Sequence, residues 1–202
     1  MQTERRGRPR LVPARRPGDS TRDEILDAAA ELFTTVGYAA TSTRRIAEAV
    51  GVRQASLYHH FATKEDILDA LLAGTVDVSL SLAEDLVAAG GAAAPRLHAL
   101  AMADADQLCG GVWNLGVLYL LPDLEVPRFE GFRTRRAALR THYRDLSTAV
   151  LAECGGPAGC EDLPFRLVES VINRRCDDGE CPPEYSRTIA DAALRTLGAT
   201  PP

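Results

Sequence analysis

Apolar residues recur at three- and four-residue spacing along most of this chain, and no segment alternates in the one-in-two manner of a strand. The first amphipathic run, 21–36, places Ile25, Ala28, Ala29, Leu32, Phe33 and Val36 on one face. Ser20 and Asp23 stand at capping-box spacing before it, and Gly37 ends it. A short second helix follows Ser42, a good N-cap, and sets Ile46, Ala47 and Val50 on one side. Gly51 comes next, at the C′ position where only glycine takes positive φ cheaply. A third helix begins near Gln54 and runs to about Phe61. Leu57 and Phe61 face its core, and Gln54, Ala55, Ser56, Tyr58, His59 and His60 point outward. Thr63, with acidic residues just after it, opens one long helix towards Ala89. Glycine and proline then divide the rest into helices at about 95–109, 112–121 (short and very apolar), 128–154, 163–175 and 183–197. The pattern predicts an all-α chain: a three-helix head and an all-helical body.

The stretch 41–64 carries the chemistry. Two short helices joined by a glycine turn form a helix-turn-helix whose second helix reads DNA. A glutamine can make a bidentate contact to adenine, a serine can bond either base edge, and an alanine methyl can pack on the thymine methyl. Tyrosine, histidine and lysine suit phosphates, which position without specifying. Arg44 can reach a groove edge or a phosphate. The competing picture is an α-hairpin with a merely solvated polar face, for which aromatics and histidines are poor residues.

Gly37-Tyr38, Thr41-Ser42-Thr43, Ile46-Ala47, Gly51-Val52, Leu57-Tyr58-His59-His60-Phe61 and Lys64-Glu65 together resemble the DNA-binding domain of the TetR family of transcriptional regulators, over about residues 21–72. The resemblance implies that Ser42 and Thr43 touch phosphates, that Arg44 and Gln54 read bases with Ala55 and Ser56 close by, and that Tyr58, His60 and Lys64 hold the backbone. His59 belongs to the same outward row. Arg53 stands where the family often has a capping Ser or Thr, and Arg45 where it often has an acid; both add positive charge at the DNA face. The resemblance further implies that the long helix links head to body. It makes the last two helices of two subunits a four-helix dimer interface, for which Phe165, Val168, Val171, Ile172, Ile189, Ala192, Ala193 and Leu197 supply apolar faces. A two-fold homodimer would set its readers about one DNA turn, roughly 34–36 Å, apart on double-stranded DNA with a palindromic operator.

Charge sharpens this division. Net charge is −5 over 202 residues, yet residues 1–22 hold seven arginines against Glu4 and Asp19. Three parts are expected: a disordered basic arm 1–19, a helix-turn-helix domain 20–62 and a ligand-binding and dimerisation domain 63–202. Arg6 and Arg8 stand in Arg-Gly-Arg-Pro, which resembles minor-groove hooks, and are expected on DNA. No apolar signal core follows the arm, and the longest apolar stretch, 115–121, is too short for a bilayer, so a cytoplasmic chain without membrane association is expected.

Between 96 and 143 lie Trp113, Asn114, Tyr119, Phe132 and Tyr143, with His98 and Gln107. Apolar walls with a few polar groups are what a small-molecule pocket needs, although each aromatic taken singly suits core packing. The expected function is a repressor released from its operator when an unknown small molecule favours a splayed dimer. The alternative is a thiol-based redox or metal-responsive regulator using Cys176 and Cys181, two of five cysteines, which lack a second Cys/His pair at zinc spacing. A helical binding protein or enzyme with a vestigial head is a third reading. The intact reader motif argues against it, as does the absence of a nucleophile, carboxylate pair or metal triad. No enzyme, cofactor or metal is expected.

Overall fold

A computed structural model describes residues 16–202, all of whose regular structure is helical. The expectations for Arg6, Arg8 and most of the arm lie outside the described residues.

The head is built by its caps. Helix α1, Thr21–Thr35, starts at Ser20, whose hydroxyl accepts from the Asp23 backbone N–H at 3.2 Å. It buries Ile25, Ala28, Ala29, Leu32 and Phe33. Helix α2, Thr43–Val50, starts at Ser42, which accepts from the Arg45 N–H. It stops at Gly51, where φ is +78° and the N–H returns to the Ala47 and Glu48 carbonyls. A side chain there would add left-handed strain to a turn that must be tight. Helix α3, Gln54–His60, buries only Leu57 among its own residues, with Phe61 buried just beyond it. Its N-cap, Arg53, makes no side-chain capping bond, so the helix is held by tertiary packing rather than by its own ends.

Helix α4, Lys64–Ala89, carries a complete capping box between Thr63 and Asp66. At 26 residues it reaches about 39 Å. In the body, α5, Ala93–Gly110, lies at the centre and packs against α4, α6 (Glu130–Cys154), α7 (Leu163–Asp178) and α8 (Tyr185–Thr196). Helix α1 touches α4 and the turn at 115–120, and the α1–α2 loop also meets α4.

The short apolar helix expected at 112–121 is instead a run of 3₁₀ turns, Leu115–Leu120, Pro122–Glu125 and Pro127–Phe129. Pro122 and Pro127 force Leu121 and Val126 into extended backbone, which breaks an α-helix. Gly116 sits so close to Ile172 of α7 that a β-carbon would collide with it.

The expected dimer surface needs correction. Phe165, Val168, Val171, Ile172, Ile189, Ala193 and Leu197 are buried within one chain, where they seat α7 and α8 on the body; only Ala192 is half-exposed. Each helix has one strongly apolar stripe, and the intrachain core takes it. Away from that stripe, Leu163 of α7 is exposed, and Leu167 and Arg174 of α7 and Tyr185 of α8 are half-exposed, with the Arg174 guanidinium over the Tyr185 ring.

Candidate nucleic-acid interface

Gln54, Ala55, Tyr58, His59 and His60 are exposed on α3, with Ser56 half-exposed. Arg44 and Arg53 are exposed beside them, and Ser42 and Thr43 stand at the start of α2. The row is pre-arranged. Thr43 Oγ1 and Tyr58 OH lie 3.1 Å apart, and the Gln54 amide donates to both, at 3.1 and 3.3 Å. This triangle fixes the Gln54 side chain, and a bidentate adenine contact would take one N–H back from Thr43 or Tyr58 while the side chain stays in place. Arg44 pairs with Glu48 one turn on, at 2.9 Å, an exposed bridge weak enough to exchange for a phosphate.

Lys64 is more occupied than its motif suggests. Its ammonium donates to the Tyr38 and Thr41 carbonyls at 2.9 and 3.1 Å and lies 4.0 Å from the Tyr38 ring centroid. Two of its three N–H groups therefore hold the α1–α2 loop against α4, and one is left for a phosphate. Ser42 likewise uses its oxygen as a cap and retains its hydroxyl proton.

In the body, five of the seven expected pocket residues divide among several cavities. The rings of Tyr119 and Phe132 lie 5.5 Å apart and line a cavity of about 210 Å³ with Arg133 and Arg136. Tyr119 and Arg136 also border one of about 300 Å³, beside Gly116, Ser170 and Asn173. Gln107 and Trp113 line a third, of about 200 Å³, with Gly74, Leu108 and Arg175. Asn114 lines, together with Trp113, a fourth cavity of about 360 Å³ beside Thr34 of α1 and Cys176 of α7, and it fastens the turn to α7 by donating to the Ile172 carbonyl at 2.9 Å. His98 and Tyr143 line none of these cavities. His98 is buried with Nε2 2.9 Å from Asp191 of α8, which holds that carboxyl below its ordinary range. Tyr143 is fully buried and donates to Asp104 at 3.0 Å. Both are core polar groups that found partners, as buried polar groups must.

Asp104 itself carried no sequence signal. Burial pushes its carboxyl up to about 6, although Ser79 and Tyr143 both donate to it. The arginine comb of α6 is braced rather than free: Arg135 pairs with Asp77, Arg136 with Glu169 and Arg140 with Asp162, while Arg133 holds the Leu124 and Val126 carbonyls.

The thiol alternative finds no support. Cys176 accepts from the Asn114 amide, whereas Cys181 neighbours Cys109. Burial, followed by Cys181, pushes the Cys109 thiol up to about 12, away from the reactive thiolate.

A glycine-turned helix pair presenting a pre-arranged polar row, joined by a long helix to a cavity-bearing helical body, defines a helix-turn-helix transcriptional regulator. The chain belongs to the TetR family. The family model for bacterial regulatory proteins, tetR family, matches residues 25–71. The HTH-type transcriptional repressor KstR2 of Rhodococcus jostii (strain RHA1) is 34% identical over 161 residues, spanning 74% of this chain and 73% of that protein. Among solved structures, Mycobacterium smegmatis AmtR is similar over 94% of this chain and 92% of its own, at 66% identity and a TM-score of 0.91. The ketosteroid transcriptional regulator KstR2 of Mycobacterium tuberculosis matches over 92% and 98%, at 26% identity and a TM-score of 0.73.

Proposed function

We propose that this chain is a cytoplasmic homodimeric repressor that binds a palindromic operator and is released by a small molecule held in the body. It acts by binding and not by catalysis. The observation that carries the reading is the Thr43–Gln54–Tyr58 triangle, which holds a base-reading amide outward on α3. The division follows the same lines: an arm 1–19 that adds phosphate contacts through Arg6 and Arg8, a head 20–62 and a body 63–202. Ser42, Thr43, Arg44, Arg53, Ala55, Ser56, His59, His60 and the remaining N–H of Lys64 complete the DNA surface. Relatives named as repressors support the sign of regulation. Among the described residues no helix is long and apolar enough to cross a membrane.

The effector site is the space around Tyr119, Phe132 and Arg136, where two cavities of about 300 and 210 Å³ share Tyr119 and Arg136 in their linings; the larger reaches the lower end of the usual range for ligand pockets. The dimer face is the outward stripe of α7 and α8, with Leu163, Leu167, Tyr185 and Ala192. A gel shift against the DNA flanking the chain's own gene, with candidate effectors titrated in, tests the reading. A retarded band that an effector dissolves is expected; no retardation at micromolar protein would refute it.

A further inference from the structure

Asp27 of α1 is shared between two distant parts of the chain. Its Oδ1 accepts from the Trp113 indole N–H at 3.0 Å, and its Oδ2 pairs with the Arg16 guanidinium at 2.9 Å. Arg16 also pairs with Glu31 and donates to the Ala49 carbonyl at 3.5 Å. Both Arg16 and Asp27 are largely shielded, their side chains 17% and 19% exposed. At the other end, Trp113 borders the cavity of about 200 Å³, and its own carbonyl lies within reach of the buried Arg175 of α7. A continuous chain of polar contacts thus runs from a body cavity to the residue at which the basic arm joins the head.

We infer that Trp113 and Asp27 are positioning residues for the N-terminal arm: they pin Arg16 and so fix where the arm leaves the head. The physical reason is orientation. A carboxylate bonded by the indole on one oxygen cannot turn its other oxygen away from Arg16. Without the indole, that oxygen swings and Arg16 loosens, so fixing the point from which the arm reaches DNA costs more entropy on binding. Occupation of the Trp113 cavity would act on the same bond, which links the body to phosphate contacts independently of how far apart the readers stand. The inference rests on the reading that the arm touches operator DNA.

The test is operator affinity and its salt dependence, measured by fluorescence anisotropy on the full chain. The variants are Trp113→Phe and Asp27→Asn, each made also in an Arg6→Ala, Arg8→Ala, Arg10→Ala background, with far-UV circular dichroism verifying the fold. Each single variant is expected to weaken binding about 3- to 10-fold and to flatten the salt slope. In the arm-neutralised background neither should weaken it by more than about 2-fold. Unchanged affinity in the full chain, or an equal loss in both backgrounds, would overturn the inference, the latter placing the effect in the head's tilt. An arm-neutralised chain that binds as tightly as the unsubstituted one would overturn the arm reading and this inference with it. An unsubstituted chain that binds no duplex would instead strike the operator reading itself.

Discussion

Asp104→Asn is the perturbation whose outcome the structure specifies most fully. The carboxyl is buried between α4, α5 and α6, and burial raises it from 3.8 to about 6. The folded chain therefore holds a proton more tightly than the unfolded chain between about pH 4 and pH 6. This group's contribution is fully present below about pH 4 and is lost as pH rises through about 6. A shift of about two pH units corresponds to about 3 kcal/mol of destabilisation at neutral pH. Asparagine keeps the shape and removes the charge. It can also keep both partners: Tyr143 donates to the amide oxygen, and Ser79 turns its proton to Gln107 Oε1, already 3.1 Å away, to accept from the amide nitrogen. Urea unfolding followed by circular dichroism at pH 5.0 and 7.5, variant against unsubstituted chain, isolates this group from other carboxylates. The variant should be more stable at pH 7.5 by about 1–3 kcal/mol, with the advantage shrinking at pH 5.0. A variant less stable at pH 7.5, with an unchanged pH dependence, would show that Asp104 is not a buried charge held at a cost.

Other outcomes follow from the same contacts. Tyr58→Phe removes the hydroxyl shared by Thr43 and Gln54 and should weaken operator binding about 3- to 10-fold in an anisotropy titration, leaving the melting temperature within about 2 °C. Val171→Ala should cost about 1–3 kcal/mol of chain stability in urea unfolding, because Val171 is core; a loss of dimer alone, read by sedimentation, would restore the interface role first expected of it. Leu163→Arg, at an exposed position of α7, should give folded monomers in sedimentation without that loss, and a dimer that survives would refute the outward-stripe assignment. His98→Phe should lower stability most above the ordinary carboxylate range and least in acid, since the Asp191 carboxyl it holds low has lost its charge there; a pH-independent loss would contradict that pairing.

Most of the head was legible because its signals are local. Ser42, Gly51 and Thr63 work through their own backbone neighbours, and the outward row of α3 follows from Leu57 and Phe61 once the period is known. The body's helices were legible for the same reason. Partner choice was not. Apolar periodicity says that Val168 and Ile189 face something, without saying whether that is the same chain or a second copy. Trp113, His98 and Tyr143 look alike as isolated polar-tipped residues in a helical run. Their separation into a cavity wall and two buried pairs depends on Asp27, Asp191 and Asp104, up to 93 positions away. Asp104 sits among alanines at ordinary helical spacing, and α4 and α6 packing over it from elsewhere in the chain bury it. The arginines of α6 read as a solvated face, because their carboxylates lie on α4, on α7 and in the loop before α7.

In the proposed complex, two copies of α3 present Gln54 and its neighbours to successive major grooves. Hydroxyl-radical footprinting of the full chain on the DNA flanking its own gene tests this most directly. Two protected patches related by an inverted repeat, their centres about one helical turn apart, are expected, with both lost in Gln54→Ala. A single protected patch, or protection indifferent to Gln54→Ala, would contradict it.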